Sequence, residues 1–172
     1  MGQESRVVNI FKRSKSQRIA RLSIFSTLCV IGSFIHPPSP IQTIAFDSAP
    51  GFFAALYFGS RDGALICGIG HLITSLINGF PLGWFHVPIA LGMAIAGGAM
   101  GLANKVNYKW GFIPATLVGI AINTALFPLA APLFGWVAAF TLVAPFLLLA
   151  ATLNGVVAAL VYIGVRGKFG IK

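Results

Sequence analysis

Acidic residues are almost missing from this chain: three Asp and Glu stand against twelve Lys and Arg in 172 residues, and charged residues of both signs make up only 9%. So little charge excludes an ordinary soluble domain. With 57% of residues apolar and a mean hydropathy of +0.88, too few polar groups remain to cover a surface facing water. The two cysteines, Cys29 and Cys67, fall in apolar stretches expected on different helices, which argues against a disulfide. His36, His71 and His86 are isolated, with no two of them one helical turn apart, so the chain lacks a metal-binding helix motif. It has no nucleophile elbow and no paired carboxylates near the membrane plane. Gly167-Lys168 is followed by Phe169 where a phosphate-binding loop needs Ser or Thr. Neither an enzyme nor a bound cofactor is expected.

The basic residues are informative by their placement. They cluster between Arg6 and Arg21, at Arg61, at Lys105 with Lys109, and over 166–172, whereas 36–46, 79–86 and 128–136 carry none. The positive-inside rule makes the first four regions cytoplasmic and the other three external. Basic termini on one face require an even number of crossings, and six fit: 19–35, 44–59, 63–78, 87–104, 112–129 and 146–165. The expectation is an all-α polytopic membrane protein, a compact bundle of six transmembrane helices with both termini cytoplasmic. Residues 1–18 form a basic lead-in, 19–166 the membrane domain and 167–172 a basic tail. The lead-in shows no small-residue cleavage site, so it is not expected to be a removable signal. A net charge of +9 does not point to nucleic acid, because half of the basic residues precede or open the first span, where anionic membrane lipid is the natural partner.

Helix boundaries are marked by proline: Pro37, Pro38 and Pro40, Pro81, Pro128 and Pro132, and Pro145 at the opening of the sixth span. These prolines punctuate the external side. The internal turns, at 60–62 and 105–110, are short and polar. The second and third spans fall below the roughly 20 residues of a straight crossing, which suits a funnel opening outward. Trp84, Phe85, Phe134 and Trp136 gather at that side, either as an interfacial aromatic belt or as rings closing over a ligand. The glycine-hinged turn from Asn78 to His86 has the composition of a lid, and residues 135–144 read either as an external flap followed by a helix, the preferred reading, or as part of one long span from Trp136 to Val165 kinked at Pro145. Small residues four apart (Ser23 and Thr27, Gly97 and Gly101, Ala115 and Gly119, Ala151 with Gly155 and Ala159) permit close helix contact.

Polar residues at membrane depth need a partner or a function. His71, Thr74, Ser75 and Asn78 recur at helical spacing and form one stripe along the third span. Asn123 lies in the outer half of the fifth span, and Asn154 about 12 Å below the outer end of the sixth at 1.5 Å per residue. These groups either bond one another and fix helix packing or line a ligand site. Asp47 either favours a helix N-terminus or accepts hydrogen bonds from ligand hydroxyls, and Asp62 takes the first role at the third span.

A basic-inside, six-span chain of this size with a polar, aromatic external funnel resembles the substrate-binding S components of energy-coupling factor (ECF) vitamin transporters, over nearly its whole length. In that family small residues four apart on the first helix contact the transmembrane partner, and Leu22-Ser-Ile-Phe-Ser-Thr27 supplies Ser23 and Thr27 there, where alanines are more usual. The runs Phe46-Asp-Ser-Ala-Pro-Gly-Phe52, Gly70-His-Leu-Ile-Thr-Ser75 and Gly79-Phe-Pro-Leu-Gly83 look like the branch associated with cobalamin precursors, in particular α-ribazole. The resemblance implies a shared ECF transmembrane subunit and two ATPase subunits as partners, and uptake by toppling of the bundle. It further implies stacking of a benzimidazole on Trp84, Phe85 and Trp136, and hydroxyl recognition by Asp47, Asn78 and His71. The rest of the expected substrate-binding set is Thr74, His86, Asn123 and Asn154. Another water-soluble vitamin, a stand-alone facilitator and a membrane scaffold without transport are the alternatives.

Overall fold

The computed structural model describes residues 15–35, 44–107 and 109–166. Most of the basic lead-in, His36 with Pro37, Pro38 and Pro40, and the tail 167–172 lie outside these residues. Within them the chain is all-helical, with six principal helices: α1 (Lys15–Gly32), α2 (Ala49–Phe58), α3 (Ser60–Ile77), α4 (His86–Ala103), α5 (Phe112–Thr124) and α6 (Ala144–Arg166). Three apolar helical stretches, Gly83–Ala103, Phe112–Phe134 and Trp136–Arg166, are long enough to cross a membrane.

The second span is shorter than expected. Helix α2 starts at Ala49 instead of residue 44 because Pro50 must stand in a first turn. One turn further into a helix its ring would meet the carbonyl of Phe46 and its missing N–H would leave that carbonyl unpaired. At 10 residues α2 is about 15 Å long and cannot cross a bilayer alone. It does not have to, since it is the buried centre of the bundle and packs on α1, α3, α4, α5 and α6. Phe52, Ala54 and Ala55 are wholly enclosed.

The turn expected at 60–62 is instead the first turn of α3, and the chain reverses at the single residue Gly59, with φ +98°. Asp62, in that first turn, pairs with two arginines of α1, Arg18 at 2.8 Å and Arg21 at 3.2 Å, so it ties α1 to α3 besides facing the helix dipole. Glycines set the spacing of the central helices: a Cβ on Gly97 of α4 would lie 2.5 Å from the carbonyl oxygen of Gly63 on α3. Gly101, Gly119 and Gly155 are similarly closed in, whereas Ser23 and Thr27 are exposed on the outside of α1.

Residues 135–144 are not a flap. After Gly135 (φ +81°) the chain is helical from Trp136 to Arg166, with a π-helical segment at Ala139–Val143 directly before α6. Proline explains the local widening: Pro145 cannot donate to the carbonyl of Thr141 and its ring crowds it, and a wider turn relieves that clash without ending the helix.

Candidate functional site

The ends of the helices far from the Arg18–Asp62 pair enclose a cavity between α2, α3, α4, α5 and α6. The cavity is small, with a volume of about 60 Å³. Most of the wall is apolar, with Ile44, Leu82, Ile89, Met93, Phe127 and Val143 among the lining side chains. Asp47, Ser48, His71, Asn123 and Asn154 supply the polar groups, and among the described residues no Lys or Arg lines it.

Four different elements place these polar groups. Asp47 and Ser48 sit in the irregular turn that Pro50 forces ahead of α2, held to the end of α1 by the Phe46 N–H donating to the Ile35 carbonyl at 3.0 Å. Asn154 of α6 pins the same turn: its Oδ1 accepts from the Ala49 N–H at 2.7 Å, and its Nδ2 donates to the carbonyls of Ala45 and Ala150. All hydrogen bonds of that carboxamide but one lone pair are thus spent inside the protein. Asn123, at the end of α5, is buried and lines the cavity, yet its carboxamide makes no hydrogen bond among the described residues. The Asp47 carboxylate accepts from the Ser48 hydroxyl at 3.1 Å and faces His71 Nδ1 at 3.9 Å.

The polar stripe on α3 divides. His71 reaches the cavity, whereas the Ser75 hydroxyl donates to the His71 carbonyl and Asn78 donates to the Thr74 carbonyl. Thr74 is buried outside the cavity lining, and its Oγ1 has no hydrogen-bond partner among the described residues. His86 is also fully buried and lies behind His71, with His86 Nδ1 and His71 Nε2 3.2 Å apart.

Trp84, Phe85 and Trp136, expected to stack on a ligand, are not among the residues lining this cavity. Trp84, on a 3-10 turn, is 84% exposed and Trp136 is 69% exposed, both turned outward, as membrane-interface aromatics are. Phe85 packs behind the wall, against the cluster of Ile44, Leu82 and Val143. The lining residues absent from the expected set are mostly apolar, such as Met93 and Phe127, and nothing distinguishes them in sequence from other core residues. Ser48 was legible as the polar neighbour of Asp47.

An all-helical membrane bundle with an enclosed cavity at one end is the architecture of a solute-binding membrane subunit. A family described as ECF transporter, substrate-specific component matches residues 17–166, and the chain belongs to it. A solved structure of the S component of a bacterial ECF transporter shares the fold, with a TM-score of 0.62 and 21% identity, covering 91% of this chain and 99% of that one. No curated protein matches. Members of this family bind substrate for transport and are not enzymes.

Proposed function

We propose that this chain is the substrate-capture subunit of an ATP-driven importer of the plasma membrane. It takes up a vitamin or vitamin precursor from outside and works with a shared ECF transmembrane subunit and two ATPases. The basic ends of the helices then face the cytoplasm, and the cavity faces out. The observation that carries the reading is the cavity itself: an apolar chamber in which a carboxylate, an imidazole and an unpaired carboxamide converge.

Its chemistry selects a class of ligand. With Asp47 in the wall and no Lys or Arg there among the described residues, a carboxylate or phosphate would find an acceptor and no counter-charge. A neutral or cationic compound with an apolar body and hydroxyl or N–H donors fits. The α-ribazole molecule, an apolar benzimidazole joined to a ribose, answers to that description, its hydroxyls reaching Asp47, His71 and Asn123 and its rings lying against Met93 and Phe127. Ser23 and Thr27, exposed on α1, form the contact with the transmembrane partner.

The test is calorimetric titration of the purified chain in nanodiscs with α-ribazole and a panel of neutral, cationic and anionic vitamins. Saturable binding of one neutral or cationic compound near the nanomolar range is expected, since a solute that is scarce outside the cell requires slow escape. Tight binding of a carboxylate such as biotin, or silence across the panel, overturns the reading.

A further inference from the structure

His86 does not line the cavity, yet its hydrogen bonds determine what the cavity offers a ligand. The Leu82 backbone N–H donates to His86 Nε2 at 3.2 Å. A backbone amide can only donate, so Nε2 is the bare nitrogen and the ring carries its one proton on Nδ1. That Nδ1–H faces His71 Nε2 at 3.2 Å, so His71 Nε2 must accept. The proton of His71 therefore stands on Nδ1, on the side of the Asp47 carboxylate at 3.9 Å. No other assignment of protons satisfies all three contacts. A doubly protonated ring at either position would set two donors against each other.

The loop that supplies the Leu82 N–H is tightly held. Gly79, Phe80 and Gly83 all have positive φ, and for Phe80 (φ +54°) that conformation is costly. The Phe80 ring lies over His86 with centroids 4.9 Å apart. The Leu82 side chain also lines the cavity, so the loop closes on the ligand wall and on His86 together.

We infer that His86 is a positioning residue: it holds His71 in its Nδ1–H form, so that Asp47 and His71 present an acceptor and a donor side by side, and it locks that edge to the 79–85 loop. An edge of this kind takes a group that donates and accepts through neighbouring atoms, such as a vicinal diol. In the other tautomer the bare Nδ1 would face the carboxylate, leaving two adjacent acceptors and no donor for the ligand. The assignment of this edge to ligand contact rests on the function proposed above, whereas the proton arrangement does not.

Nitrogen NMR of ¹⁵N-histidine-labelled protein in nanodiscs reads the tautomers without any ligand. A protonated Nδ1 and a bare, hydrogen-bonded Nε2 are expected at His71, and a proton on His71 Nε2 overturns the inference. With α-ribazole as the probe, His86→Leu should weaken binding about tenfold or more. His86→Asn, which can place an amide N–H near the lost Nδ1, should stay within about threefold of the parent. Equal affinity of the parent and the leucine variant removes the positioning role. If the parent binds no α-ribazole, the proposed ligand fails, and the NMR result still decides the tautomer.

Discussion

Asn123 and Asn154 lie on neighbouring helices and both line the cavity, but their partners give them opposite roles. Asn154 has spent its carboxamide on the turn that carries Asp47, and Asn123, which lines the cavity, has spent nothing of its own on the described residues. Asn154→Leu should therefore lower the stability of the ligand-free protein by about 2 kcal/mol or more, because the Ala49 N–H and the Ala45 carbonyl lose their partner in a dry interior. Thermal unfolding in detergent checks this. Asn123→Leu should leave the ligand-free melting temperature unchanged or raise it, and should weaken ligand binding by about 1–2 kcal/mol. A stability loss in that variant would assign Asn123 to packing. Asp47→Asn and His71→Ala should each cost about 1–3 kcal/mol of binding without abolishing expression, as read by calorimetry.

Among the elements, α2 shows how sequence and surroundings share control. Pro50 sets its start and Gly59 its end, and the ten residues between are too short to be a membrane span by themselves. Only enclosure by the other five helices makes so short a helix the centre of the bundle. Close approach of α3 and α4 depends on Gly63 and Gly97, with the Gly97 backbone against the Gly63 carbonyl. Gly97→Leu should separate these helices and destabilise the fold by about 1–3 kcal/mol or prevent folding, detectable as a lowered melting temperature. The π-helical segment at Ala139–Val143 explains why Trp136 could not be placed from the periodicity of α6. One extra residue in a turn rotates everything before it by about 100°, so an angular position read from α6 does not carry back to residue 136.

For the molecule as a whole, the proposed ligand cavity and the proposed partner contact occupy different surfaces. The cavity lies within the bundle, while Ser23 and Thr27 are exposed on α1. Replacing both with Leu should leave ligand affinity and melting temperature intact and abolish ATP-dependent uptake in vesicles reconstituted with the ECF partners. Normal uptake would place the partner contact elsewhere.

The sequence by itself determined the class: apolar segments, proline punctuation and the distribution of basic residues are local properties, and they define a helical membrane bundle without reference to packing. It also marked Asp47, His71, Asn123 and Asn154, because a polar side chain at membrane depth is conspicuous one residue at a time. What each of those groups does was decided only by tertiary structure. Hydrogen bonding saturates, so whether an asparagine is spent or free, and which histidine reaches the cavity while the other holds its proton in place, depends on which polar groups the fold brings within hydrogen-bond reach, 2.7 to 3.2 Å at these contacts. The outward turn of Trp84 and Trp136 was decided in the same way, by a 3-10 turn and a π-segment whose rotation no hydrophobic pattern records.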